Sequence, residues 1–333
     1  MRRLLRVGIS IAVMGIAALS YESQSFAATT LKLAHHHAVG GSVDKAASKF
    51  AELVKEKTEG ELTVRVFPGG QLGQEREAYD LMNQGGIDIT ITSTSFAEKD
   101  FPPAIVTTAP FVFTDWDNAR ALYNGEFGEA LAQGIEESSD ASVLGYFHLG
   151  FRDLFFTETV DGTLENIKGR RMRSPEVFVW LRMFELFDTR PTSITWGEVY
   201  SAMQTGIAEG LDSPPATALD MKFDEITTHV LKTNHMFGSM FFGMNKHKLA
   251  SLDEGLQQAL LEAAVEAGNW TDENITFPEE QEAYQKLQEK NLEVIEPRNI
   301  DEWRDATAPI LEEIVARYPG SDHFLEMIQK QSN

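Results

Sequence analysis

Cysteine is absent from all 333 residues. That excludes disulfides, thiolate metal sites, a cysteine nucleophile and the lipid-bearing cysteine of an anchored lipoprotein. Basic residues are scarce: 29 Lys and Arg stand against 51 Asp and Glu, a net charge of −22. Such an acid excess argues against nucleic acid or an anionic membrane as partner. The sequence has no G-x-S-x-G elbow, no H-E-x-x-H zinc helix and no Walker loop. No cofactor is expected, and enzyme chemistry is disfavoured without being excluded. Beyond the first 27 residues no apolar run approaches the roughly 20 residues of a membrane-spanning helix.

The N-terminus reads as an address. Arg2, Arg3 and Arg6 precede an apolar run from Val7 to Leu19, and Ser25 and Ala27 put small residues before a cleavage point. This pattern predicts a secretory signal peptide over residues 1–27, cut after Ala27, and a mature chain in the periplasm. Without that segment, which carries three arginines and Glu22, the net charge becomes −24. An anionic ligand would be repelled by the field as a whole, so a few local arginines would have to bind it. About 306 mature residues without disulfides need a large core, and that length favours two lobes.

Periodicity supports an α/β fold. Leu31–Ala34 alternates as a strand, and Ala47, Phe50, Ala51 and Val54 recur at helical spacing. Leu62, Val64 and Val66 form a second strand, broken by Pro68-Gly69-Gly70. Ala78, Leu81 and Met82 mark a helix, and Ile87–Ile91 a third strand. This β-α-β-α-β order predicts a parallel sheet with covering helices. After Phe101-Pro102-Pro103 the pattern restarts with a helix over Ala119–Leu131 and a strand over Ala141–Phe147. Strand-like Phe155–Thr157, a turn and strand at Lys168–Arg173, helices at Phe178–Phe187 and Glu198–Ile207, and a strand at Gly210–Ser213 form a second α/β region. Residues 251–333 read as helices bracing both. No linker separates the regions, so the chain is expected to cross between lobes more than once. The expected division is 28–149 with 239–278 as lobe I, and 150–238 with 279–333 as lobe II.

Two features draw chemical attention. His35-His36-His37 has the composition of a metal site. In a strand, however, adjacent side chains point to opposite faces, so at most His35 and His37 share one. The favoured reading has one histidine lining a cleft, the others solvated and no metal bound. Arg152 and Arg173 lie at the ends of strand-like segments, where ligands of open α/β sheets bind. A guanidinium there matches a carboxylate through two parallel hydrogen bonds. On spacing alone, surface arginines paired with some of the many acids remain the alternative.

Four ordered stretches carry a family resemblance. Ile194-Thr-Trp196-Gly-Glu198-Val-Tyr200 through Gln204, Gly206 and Gly210 resembles the signature of TRAP transporter solute-binding proteins of the DctP type. Phe67-Pro-Gly-Gly-Gln71-Leu-Gly73-Gln-Glu75-Arg, Ile167-Lys-Gly169-Arg-Arg-Met-Arg173-Ser-Pro and Thr233-Asn234-His235 resemble three further family segments. The resemblance spans nearly the whole mature chain. It implies a two-lobed periplasmic binding protein fold, with hinge strands and a long helix, closing on ligand. It implies that Arg173 binds a substrate carboxylate, that Arg152 assists and that Trp196 walls the pocket. Ser213 stands where asparagine is common, and Ser93 where some sialic-acid binders carry glutamate. Both departures argue against sialic acid. Asp212, His37 and Glu75 complete the expected ligand-binding set. The expected ligand is a hydroxy, keto or sugar acid or a dicarboxylate. The expected partners are TRAP membrane subunits, and a monomer is expected. A metal-dependent periplasmic enzyme using His35–His37 and the receptor of an ATP-driven importer stand as alternatives.

Overall fold

The structure, a computed structural model, describes residues 28–331. The expected signal peptide, residues 1–27, lies outside the described residues. β1 (Thr29–Ala34), α1 (Ser42–Lys57), β2 (Leu62–Phe67), α2 (Glu75–Asn83) and β3 (Ile89–Ser93) alternate along the first region. β1 lies between β2 and β3, parallel to both. α1 buries Val43, Ala47, Phe50 and Val54, a stripe at three- and four-residue spacing. Where one helix was expected over Ala119–Leu131, α3 (Trp116–Tyr123) and α4 (Glu126–Ser138) meet at Asn124-Gly125.

β4 (Ala141–Phe156) is longer than expected and joins two segments that read separately in the sequence. The second region holds α5 (Leu164–Ile167), β5 (Arg171–Ser174), α6 (Phe178–Leu186), β6 (Arg190–Ser193), α7 (Val199–Gln204), β7 (Gly210–Ser213) and α8 (Pro215–Asp220). β8 (His229–Asn245) then returns antiparallel to β4 along nearly its whole length. β8 has no counterpart among the strands expected from the sequence. Its Met236–Met244 stretch lacks alternation because both faces are covered, as in the interior of a layered sheet. The nine strands form one sheet in the order β2-β1-β3-β8-β4-β7-β5-β6, with β9 (Glu293–Ile295) beside β8. One end of the sheet belongs to each lobe, and β4 and β8 pass through both. Their pairing is irregular at Val143/Gly145, His148/Gly150 and Arg152/Leu154. Gly150 has a φ of 93°, and a Cβ there would lie 2.6 Å from Glu280 Oε1, so glycine is required.

After α9 (Lys246–Ala250), α10 (Glu254–Thr271) packs on α1 and β4. It runs through a π-turn at Asp272–Thr276 into α11 (Phe277–Glu289), which packs on α8 and β9. This continuous helix therefore touches both lobes. Its Asp272 and Glu280 carboxylates accept the N–H groups of His148 and Phe151, each at 2.8 Å, beside the bulges of β4. α12 (Ile300–Thr307) and α13 (Pro309–Arg317) cover α6. The last helix, α14 (Ser321–Gln331), departs from the expected division, which assigned 279–333 to lobe II. It packs on the 102–135 region of lobe I, with the Phe324 ring 5.5 Å from Phe101 and 5.9 Å from Phe127. Aromatic burial on the other lobe outweighs sequence proximity here.

Candidate ligand-binding cleft

The C-terminal ends of β1, β3 and β5 converge on the crevice between the lobes, the usual place for a ligand in an open α/β sheet. The loop after β1 delivers His36 and His37, β3 delivers Ser93, and the first turn of α2 delivers Glu75. From the other lobe come Arg173 on β5, Trp180 on α6 and Trp196 after β6; Arg152 comes from the bulged stretch of β4. They line an inner cavity of ≈50 Å³, above the roughly 10–15 Å³ that a single water requires. Glu75, Phe96, Arg173, Pro175 and Trp196 also line an adjoining outer cavity of ≈460 Å³. The pair resembles a small inner end with a roomier mouth.

Arg173 is 4% exposed. Alternation along β5 puts Met172 in the core and leaves Arg171 exposed, paired with Glu209. Arg173 Nε donates to the Ile194 carbonyl at 2.9 Å, and its guanidinium lies 5.1 Å from the centre of the Trp196 ring. Neither contact carries negative charge, and among the described residues Arg173 makes no ion pair. Burial pulls its pKa down to about 10, which still leaves it protonated at neutral pH.

Arg152 is arranged differently. Its Nε donates to Asp212 Oδ2 at 2.5 Å and its Nη2 to the Asp212 carbonyl at 2.8 Å. Trp180 Nε1 donates to the same carboxylate at 2.8 Å, and His235 Nε2 lies 3.6 Å from it. Burial alone would raise the Asp212 pKa, but Arg152 and His235 outweigh it and hold the carboxyl well below its ordinary value. Asp212 is therefore the counter-ion of Arg152 and does not line the cavity. Ser213 is fully buried, and its hydroxyl donates to the Pro214 carbonyl at 3.0 Å. It too lies outside the lining, because alternation along β7 and the Pro214-Pro215 turn keep it in the sheet layer.

The histidines correct the expectation of solvated neighbours: all three are buried. The strand ends at Ala34, so strict alternation does not extend over them. His35 turns away to Asp44, 3.1 Å distant, while His36 and His37 both line the cavity. His36 Nε2 lies 3.3 Å from Glu75 Oε2, and the His37 ring 5.8 Å from that of Trp196. Burial, reinforced by His35 and Arg173, pushes the His36 pKa down to about 3, and burial holds His37 well below its ordinary value. Both are uncharged at neutral pH. Glu75 Oε1 accepts from Ser93 N at 2.7 Å and Thr92 Oγ1 at 3.2 Å. Among the described residues no group of three or more metal-ligating side chains is assembled. His36, Trp180, Phe96, Leu149, Pro175 and Thr217 also line the cavity but were not singled out from the sequence. Only His36 carried a local signal, its place in the triplet.

The two lobes enclose a cleft walled by aromatics around a charged arginine without a counter-ion, the arrangement of a solute-binding receptor. The comparisons agree. The model of the bacterial extracellular solute-binding protein family 7 (DctP) matches residues 33–318. A solute-binding protein of Sulfitobacter sp. (strain NAS-14.1) is 30% identical over 319 residues, 94% of this chain and 95% of that protein. The 2,3-diketo-L-gulonate-binding periplasmic protein YiaO of Escherichia coli (strain K12) is 27% identical over 304 residues, 91% and 92% of the two chains. A TRAP periplasmic solute-binding protein of Roseobacter denitrificans, solved with bound β-D-glucuronate, superposes with a TM-score of 0.86 at 24% identity, covering 90% of this chain and 99% of that one. The chain belongs to the DctP family of TRAP transporter solute-binding proteins. The family serves transport rather than catalysis.

Proposed function

We propose that this chain is the periplasmic receptor of a TRAP transporter and captures a monocarboxylate bearing hydroxyl or keto groups, with the carboxylate on Arg173. The observation that carries the reading is a buried, protonated guanidinium with no counter-ion. A buried charge is unfavourable until it is paired, and a ligand carboxylate supplies the pair. Arg152 is already neutralised by Asp212, so one positive charge remains for the ligand. Glu75 borders the same space. Its carboxylate accepts from a ligand hydroxyl and repels a second carboxylate, which favours hydroxy and sugar acids over dicarboxylates. Among the described residues the one hydrogen-bond partner of Ser93 Oγ is the weak acceptor Met240 Sδ, at 3.5 Å, so the hydroxyl is available to a ligand hydroxyl. Neutral His36 and His37 add uncharged polar groups, and Trp196 adds apolar contact with few rotors to order. The E. coli relative that binds 2,3-diketo-L-gulonate, a keto sugar acid, fits this chemistry.

The membrane subunits of the transporter are the proposed partners, and the proposed signal peptide places the mature chain, starting at Ala28, in the periplasm. Intact-mass analysis of periplasmic material checks that start. A thermal-shift screen of aldonates, uronates, keto acids, dicarboxylates and neutral sugars tests the ligand class. A ligand specific to the folded state adds about 2.7 kcal/mol of stability at a hundred times its dissociation constant. Stabilisation by neutral sugars with none from any acid would refute the reading.

A further inference from the structure

The N-cap position of α1 is Gly41, which has no side chain to cap the helix. The first N–H groups of a helix need acceptors. Here the acceptor comes from the opposite lobe. Asp220 Oδ2 accepts from Ser42 N and from Ser42 Oγ, each at 2.8 Å. Ser42 Oγ also reaches Glu279 Oε2 at 3.0 Å, and Lys45 Nζ reaches Glu279 Oε1 at 2.6 Å. Asp220 closes α8, and Glu279 lies in the first turn of α11. A carboxylate at the C-terminal end of its own helix is unfavourably placed, since that end carries partial negative charge. The same carboxylate is favourably placed at the N-terminus of α1. Asp220 thus suits the neighbouring lobe better than its own.

We infer that Asp220 is a closure residue: it caps α1 across the cleft, and this contact holds the lobes together around the ligand. The inference rests on the proposed solute capture and adds a part of the chain that does not touch solute. Opening separates α8 from α1 and returns the N-terminus of α1 to water. A trans cap with an ion pair beside it is worth roughly a five- to tenfold bias toward the closed form. Gly41 belongs to the same device. Its backbone is extended, at φ −75° and ψ 179°, so other residues fit there, but a Cβ would stand 2.8 Å from Asp220 Oδ2. Serine at position 41 caps α1 from its own chain and pushes Asp220 away.

The absence of cysteine makes the test direct. Spin labels at Lys55→Cys and Glu165→Cys, both exposed and one in each lobe, report the interlobe distance. Distance distributions are recorded without ligand and with D-glucuronate as probe, for the labelled parent, Asp220→Ala and Gly41→Ser. Both variants are expected to lose the short-distance population five- to tenfold relative to the parent. The ligand-free melting temperature should fall only slightly in Asp220→Ala and should not fall in Gly41→Ser, which keeps a cap on α1, a pattern that a merely structural contact would not produce. Unchanged distances in both variants overturn the inference, and so does a parent that shows only the long distance under both conditions. D-glucuronate without effect on a parent that does sample the short distance counts against the sugar-acid reading alone, because the ligand-free populations still decide the role of Asp220.

Discussion

Replacing Arg173 separates a binding group from a structural one. The pKa of the guanidinium falls from an ordinary 12.5 to about 10 in the folded chain. At 1.36 kcal/mol per unit, holding this charge in place costs the ligand-free protein about 3 kcal/mol. Arg173→Met keeps most of the volume and removes the charge. It also leaves the Ile194 carbonyl without its donor, a loss of about 1 kcal/mol. The ligand-free variant should therefore be as stable as the parent or up to about 2 kcal/mol more stable. Carboxylate affinity should fall by about 2–5 kcal/mol, the usual penalty for removing one partner of a buried charge pair. Arg173→Lys should also bind poorly, since an ammonium cannot reproduce the fork. Differential scanning calorimetry and titration calorimetry read the two effects on one sample, using whichever acid the screen identifies. A ligand-free destabilisation above 3 kcal/mol with affinity within threefold of the parent would show that Arg173 is structural and that the cleft argument is wrong.

The counterpart is Asp212→Ala, which leaves the part-buried Arg152 guanidinium and the buried Trp180 N–H without their shared acceptor; it should destabilise the ligand-free protein by up to about 3–5 kcal/mol, seen as a lower denaturant midpoint. Glu75→Gln removes the charge that opposes a second carboxylate, so competition binding should show dicarboxylates gaining on sugar acids by about tenfold; an unchanged ratio would remove Glu75 from the specificity argument. Arg173 stays charged up to about pH 10 and His36 stays neutral down to about pH 3, so affinity for a carboxylate should vary by less than threefold between pH 5 and 9. The depressed His36 value lowers folding stability as pH falls from 6.5 toward 3, because the unfolded chain takes up the proton first. The difference in stability between the parent and His36→Gln should therefore shrink across that window, measured by urea denaturation at each pH.

The lobes were legible where burial is one-sided. Leu62, Val64 and Val66 alternate because they share the covered face of β2 while Arg65 on the other face meets solvent, and the α1 stripe repeats because one face of that helix meets solvent. β8 was not legible: a strand covered on both faces shows no period along Met236–Met244. The arginines could be picked out as strand-end cations, yet their different roles could not. Asp212 lies 60 positions from Arg152 along the chain, and only the pairing of β4 with β7 brings them together. His36 was discounted through a strand rule that stops applying one residue after Ala34. Ser213 shows the opposite failure, since a position expected at the ligand is held in the sheet by a proline turn.

The acid excess and the unpaired arginine belong to one argument. With 51 acidic side chains available, the expected fate of an arginine is an ion pair, and Arg152, Arg171 and Arg182 each have one. Arg173 escapes because aromatic and backbone groups surround it. Trp196 lies against its face, the Ile194 carbonyl takes Nε, and the nearby carboxylates are held elsewhere, Asp212 by Arg152 and Glu75 by the end of β3. Asp212 still attracts the guanidinium through space and helps keep it protonated, without occupying its hydrogen-bonding fork. The cleft thereby keeps a charged site open in a strongly acidic protein. A free anion is repelled at long range, but that repulsion is screened within about 8 Å at physiological salt, whereas the buried contact is not. On the proposed reading, selection of the ligand is a short-range event, decided inside the cleft by one cation and the carboxylate that faces it.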